Sequence, residues 1–276
     1  MLKKILLSIC IILTSIFCNA QKKLDKSFLK CVYDFVYLKD TLTSKKSDDI
    51  IHLQIGHKYT KCYSYYSQQV DSLMSTPDYE KKAWAMIKNA VDKQGKGTSN
   101  YPHKRMRSYV YKNHKGGKIK VTDGFSLQDY IYEDELNAQN WEVLDSTKVI
   151  LGNSCQLAKC TFRGRQWMTW FAPEIPISDG PWKFGGLPGL ILEVHDLGKQ
   201  YHFVITGIEK KEEPIYFSKT NLGSKRFEKA KRREFLKAKK SYLMNKGGYI
   251  EMETGIDLGS KSSQKMMRYD LIERDY

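Results

Sequence analysis

The stretch from Gly180 to Asp196 reads G-P-W-K-F-G-G-L-P-G-L-I-L-E-V-H-D and constrains the chain more than any other. It holds four of the 19 glycines and two of the seven prolines, then runs into an apolar segment. Glycines permit positive φ or close backbone approach, and Pro188 holds Leu187 extended. A stiff, bent lead into a strand over Leu190–His195 is predicted, with a turn at Leu197-Gly198 and a return strand over 200–208. With a two-residue loop, Val194 faces Tyr201 and Leu192 faces Phe203, while Glu193, His195, Gln200 and His202 share the other side. One face is then core and the other polar, the pattern of an antiparallel sheet packed on one side. Trp182 and Phe184 are expected to plug the bend. The order loop-then-strand, with no G-K-[ST] following, is not that of a phosphate-cradling loop.

Residues 1–20 have the form of a secretory signal: Lys3 and Lys4, an apolar run from Ile5 to Phe17, and Cys18-Asn19-Ala20 before Gln21. The run is too short for a permanent span, so no transmembrane segment is expected after signal cleavage. The expected locations are the periplasm, the outer-membrane surface or the medium. The 46 Lys and Arg against 31 Asp and Glu give a net charge of +15. For an exported chain that balance points to an anionic surface or an acidic ligand rather than nucleic acid. An oxidising compartment permits disulfides, and Cys31 with Cys62, in separate early strands, is the preferred pair. Cys155 and Cys160, five positions apart on one strand and on opposite faces, are too far apart to bond.

Short segments rich in β-branched and aromatic residues recur with turn residues between them, which predicts an antiparallel meander. Strands are read over 31–39, 50–55, 58–67, 106–111, 118–122, 130–135, 141–144, 148–151, 156–163 and 166–171. Thr76 as N-cap, Pro77 at the first helical position and apolar residues at helical spacing predict a helix from Pro77 to about Asp92. The basic segment 225–246 carries a loose apolar stripe and is read as an amphipathic helix lying on the sheet, with an anionic lipid surface as its sharper alternative. The expected fold is mainly β (α+β), a curved antiparallel sheet or half-barrel with one or two covering helices around an apolar hollow. Residues 21–248 form one domain, followed by a polar tail over 249–276.

Two sets of residues could carry chemistry. Trp170, Trp182 and Phe184 are candidates for an apolar binding surface. Glu193, His195 and His202, on one face of the predicted hairpin, could hold Zn²⁺ or Cu²⁺, or form an ordinary cross-strand Glu–His pair. No G-x-S-x-G elbow, H-E-x-x-H or C-x-x-C motif is present.

Gly186-Leu187-Pro188-Gly189-Leu190-Ile191 spells the string that names the GLPGLI family of exported envelope proteins of Gram-negative bacteria, and the chain resembles that family. Trp141, Thr147-Lys148 to Gly152, Cys155 with Ala158, Gly164-Arg165, Trp170-Phe171, Ile175-Pro176 and Gly180-Pro181 follow its pattern in order, over roughly 130–210. At Tyr269-Asp270-Leu271-Ile272-Glu273 the Asn-Pro usual before the family's final Ile-Glu is missing. The resemblance implies export and a shared β-rich fold, and brings no catalytic residues. The expected role is therefore a non-catalytic envelope protein that binds an apolar or anionic ligand, or assists an outer-membrane assembly, and no cofactor is expected. The alternative is a metal-binding protein or metalloenzyme built on the Glu/His cluster.

Overall fold

The computed structural model describes residues 22–79, 81, 82, 85, 86, 88, 103–126, 128–218, 227–254 and 270–276. The segment 1–20 lies outside them, as does part of the helix expected from Pro77; there Tyr79, Lys81, Lys82, Ala85, Met86 and Lys88 are helical. Thirteen strands form one large open sheet: β1 Lys22–Asp40, β2 Lys45–Gly56, β3 Tyr59–Ser64, β4 Tyr109–Asn113, β5 Lys118–Phe125, β6 Gln128–Glu135, β7 Glu142–Ile150, β8 Asn153–Phe162, β9 Arg165–Ala172, β10 Leu190–Asp196, β11 Tyr201–Lys210, β12 Pro214–Phe217 and β13 Glu228–Lys229. Their order is β13-β6-β5-β4-β3-β2-β1-β11-β10-β9-β8-β7, with β12 added on β1, and every pairing but the short β13–β6 contact is antiparallel. The fold is thus mainly β, as its alternating segments predict. The segments expected at 141–144 and 148–151 are one strand, β7, with a bulge between Leu144 and Thr147.

Besides the helical residues after Pro77, the helices fully bounded among the described residues are α1 Tyr65–Met74, α2 Arg232–Met244 and α3 Lys246–Thr254. The strand predicted through Ser67 ends at Ser64 instead. Ser64 Oγ accepts the Ser67 N–H at 3.1 Å, an N-cap that starts α1 where the aromatic Tyr65-Tyr66 pair reads as strand. The hairpin after the bend also differs from expectation. Val194 pairs with Phe203 and His195 with His202, because the loop spans Leu197–Gln200. Asp196 closes it, accepting the Tyr201 N–H at 2.8 Å. The partners move by two residues, so each side chain keeps its predicted face.

The sheet curls around its own connection. Trp182 donates its backbone N–H to Cys62 of β3 at 3.1 Å while its ring lies 6.2 Å from Trp167 of β9. Those strands are five apart in the order, about 24 Å in a flat sheet. One segment touches both only because the sheet bends around it. The hollow expected from sequence is therefore filled by residues 173–189. Lys112, 1% exposed in its side chain, clamps this filling, donating to Asp179 at 2.6 Å and to the carbonyls of Gly180 and Phe184 at 2.7 and 2.5 Å. Gly189 passes so close that a Cβ would lie 2.2 Å from the Ala172 carbonyl oxygen. Leu190, Leu192 and Val194 are fully buried.

The seam where the curled sheet fails to close is sealed by side chains. Lys183, with no exposed surface, donates to Asp134 of β6 at 2.8 Å and to Glu273 at 2.5 Å. Arg163, in the β8–β9 turn, also pairs with Asp134, and Arg232 pairs with Glu273 and Asp275 at 2.6 Å. Residues 270–276, grouped by sequence with the polar tail, are docked here: Leu271 and Glu273 are buried and Arg274 N–H donates to the Arg163 carbonyl at 2.9 Å.

Candidate functional site

Trp182 and Phe184 are core residues. Phe184 meets Trp167 edge-on at 4.7 Å and Trp182 at 5.1 Å, and both are buried against Phe162. Trp170 is not with them. It pairs with Glu193 across β9–β10 and lies on the opposite face, under the Lys148 ammonium at 4.6 Å. These three aromatics therefore line no common surface. The bend is a packing device, as the plug expectation holds.

Glu193, His195 and His202 do come together. His202 Nε2 lies 2.9 Å from Glu193 Oε1, and the two imidazoles meet edge-on at 5.4 Å. The other Glu193 oxygen is taken by Lys148, and His195 Nδ1 faces the Asp196 carbonyl at 2.9 Å. The His202 hydrogen bond, aided by Lys148, holds the Glu193 carboxyl down at about 2. An ammonium on the carboxylate and an imidazole turned to backbone are not a metal-ligand geometry. Among the described residues no group of three or more His, Cys, Asp or Glu is arranged to hold a metal ion. The cluster is a hydrogen-bonded cross-strand Glu–His pair extended by the Lys148 ion pair.

The Cys31–Cys62 disulfide is also corrected. Both thiols are free and buried, and Leu53 of β2 pairs with each of them from between. Two strand spacings are about 9.6 Å, beyond the roughly 7 Å limit for bridged Cα atoms. Cys155 and Cys160 are likewise free.

Chemistry-bearing side chains gather instead on the outer face of β1–β4. Cys31, Leu53 and Cys62 point inward, so alternation turns Lys30, Gln54, Lys61 and Tyr111 outward as one row, with His52 and Tyr63 in the next. α1 lies over this face. It is held by Ser67 Oγ donating to the Met106 carbonyl at 2.7 Å and by Tyr109 donating to Asp71. A cleft of about 510 Å³ remains between α1 and the sheet. Tyr63, Tyr65, His52 and Leu73 wall it, Gln68 and Gln69 stand on the helix side, and Lys30 and Glu213 face each other at 3.9 Å at its end. Burial, with Lys30 adding to it, pushes the His52 imidazole down to about 4, so it is neutral at neutral pH. Its ring meets Tyr63 at 5.5 Å and Tyr65 at 5.2 Å.

Behind Tyr63 lies Lys61. It is 6% exposed, and its ammonium sits 4.9, 5.1 and 5.8 Å from the rings of Tyr63, Tyr109 and Tyr111. No carboxylate among the described residues pairs with it; nearby Asp71 is engaged by Lys104 and Tyr109. Burial pulls the amine down to about 8. Three ring faces around one cation provide a cation–π cage. The sequence carries a partial signal for it: Lys61 and Tyr63, and Tyr109 and Tyr111, each stand two positions apart on one strand face. The arrangement can bind a planar or anionic small molecule. Aromatic walls offer stacking, amides offer hydrogen bonds, and Lys30 offers a cation only loosely held by Glu213.

A family described as "Protein of unknown function (Porph_ging)" matches residues 157–193, which include the Gly186–Ile191 string. No curated protein matches the chain. In structure, the chain is similar to PNGF-II as solved in space group P21, with a TM-score of 0.50 at 11% identity over 78% of this chain and 33% of that one. The same protein in space group C2 gives 0.49 at 12% identity, over 78% and 32%. The chain spans about a third of the length of these neighbours. The likeness at a TM-score of 0.50 is one of fold alone.

Proposed function

We propose that this is an exported, non-catalytic protein of the cell envelope that binds a small, planar, anionic organic ligand in the cleft between α1 and the β1–β3 face. The observation that carries the reading is the convergence there of Tyr63, Tyr65 and His52 with Lys30, over a volume suited to a small ligand. The signal-like segment 1–20 supports export. The GLPGLI string and its flanks from Ala158 to Pro181, which lie inside the matched stretch 157–193, support membership of the GLPGLI family. A metal has no part in this reading, because Lys148 occupies the carboxylate it would need.

Anilinonaphthalene sulfonate, an aromatic anion, serves as the probe. Saturable binding by the purified chain is expected, weakened at least tenfold in Leu73→Trp, which fills the cleft, and several-fold in Lys30→Gln. Equal binding by all three proteins, each folded by thermal melt, would remove the cleft as the site.

A further inference from the structure

α2 sorts its cations. On the side turned to the sheet, Phe235 and Leu236 are buried, with the Phe235 ring 5.3 to 5.8 Å from Tyr132, Tyr130 and Phe125. The cations flanking that side are neutralised: Arg232 by Glu273 and Asp275, Lys239 by Asp123. Arg233, Lys237 and Lys240 are exposed, and none pairs with a carboxylate among the described residues. Their i, i+4, i+7 spacing puts them on one face over about 10 Å of helix. Exposed Lys229 and Lys231 precede them, and Lys231 engages the nearby Glu234 at 3.4 Å. α3 follows after a single residue and packs on α2 through Tyr249 and Tyr242 at 5.6 Å, with Met252 left 74% exposed.

We propose that this face is a docking surface for an anionic lipid bilayer. Lipid phosphates bind Arg233, Lys237 and Lys240, and Met252 reaches into the headgroup layer. Charge complementarity selects an anionic partner. The exposed methionine on the adjoining helix favours lipid over nucleic acid: a bilayer has an apolar phase to receive it, whereas a polynucleotide is held by a basic groove with stacking aromatics. The helix is already fixed to the sheet by its inner face, so docking costs no folding entropy.

The test is co-sedimentation of the purified chain with vesicles of phosphatidylcholine alone or mixed with phosphatidylglycerol. Binding is expected only to the mixed vesicles and is lost at high salt. Arg233→Gln/Lys237→Gln/Lys240→Gln is expected to lower the partition coefficient about a hundredfold, at about a fivefold loss for each cation. Met252→Ser is expected to lower it several-fold. A control, Lys115→Gln/Lys118→Gln/Lys199→Gln, removes equal charge from exposed sites elsewhere and is expected to stay within threefold of wild type. An equal loss in the control, or no loss in the α2 variant, overturns the proposal. So does tighter binding to a single-stranded oligonucleotide than to vesicles. Leu73→Trp is expected to bind vesicles like wild type, which separates this surface from the cleft.

Discussion

Lys183 donates to Glu273 at 2.5 Å across ninety positions of chain, with both side chains almost completely buried. The contact joins the segment that fills the curled sheet to the C-terminal segment. Through Asp134, Arg163 and Arg232 it also joins the two sides of the seam. Hydrogen-bonded strand pairing does not close this sheet; charge does.

Removing one partner from such a network leaves uncompensated buried charge, a cost of about 3–5 kcal/mol. Glu273→Ala is therefore expected to lower the unfolding free energy by about that much, read from urea midpoints at constant slope. A loss below about 1 kcal/mol would show that the seam is held by packing alone.

Much of this architecture was legible because its signals are local. Alternation along Cys31–Lys39 and Gln166–Phe171, and turn glycines between strands, fix side-chain faces without tertiary knowledge. Leu192 and Val194 keep their predicted face although the loop runs from Leu197 to Gln200, since the register moves by two. The site was less legible. By sequence Trp170 and Trp182 are candidates for one apolar surface; strand alternation turns Trp170 to the face under Lys148, and the curl of the sheet around residues 173–189 buries Trp182. Lys183 sits in the glycine-rich bend between Trp182 and Phe184, where no local pattern marks a buried cation. Its burial depends on Asp134 and Glu273, which lie 49 and 90 positions away. Long-range ion pairs leave no periodic trace.

Lys61 sets a stability that rises with alkaline pH. Its amine titrates at an ordinary 10.5 when unfolded and about 8 when folded. Below pH 8 both states hold the proton and the burial cost is fully present. Between about 8 and 10.5 only the unfolded state holds it, so raising the pH favours the folded state, by up to about 3 kcal/mol. Lys61→Met is expected to be more stable than wild type at pH 7, with the difference shrinking by pH 9.5. Urea titrations of both proteins at the two pH values measure it.

Glu193 acts at the acid end. The His202 hydrogen bond and Lys148 depress its carboxyl from 4.5 to about 2, so its contribution is complete above pH 4.5 and is lost as pH falls through 2. The group is partly exposed, and screening by solvent limits the effect to about 1 kcal/mol. Glu193→Gln is expected to melt a few degrees below wild type at pH 7, and the gap should close by pH 2. A gap that persists at pH 2 would mean that the glutamine disturbs packing rather than charge.

Cys31 and Cys62 test the strand order directly. Burial pushes both thiols up to about 12, and Leu53 separates them within the sheet. Thiol reagents act on the thiolate, so neither cysteine is expected to be labelled by iodoacetamide in the native protein, while both are labelled in urea. After mild oxidation of the folded chain, non-reducing peptide mapping is expected to show no Cys31–Cys62 cross-link. Bridging would require the two strands to be neighbours, with β2 expelled from between them. A recovered cross-link would therefore overturn the β1-β2-β3 order, and with it the outer face on which the cleft is built.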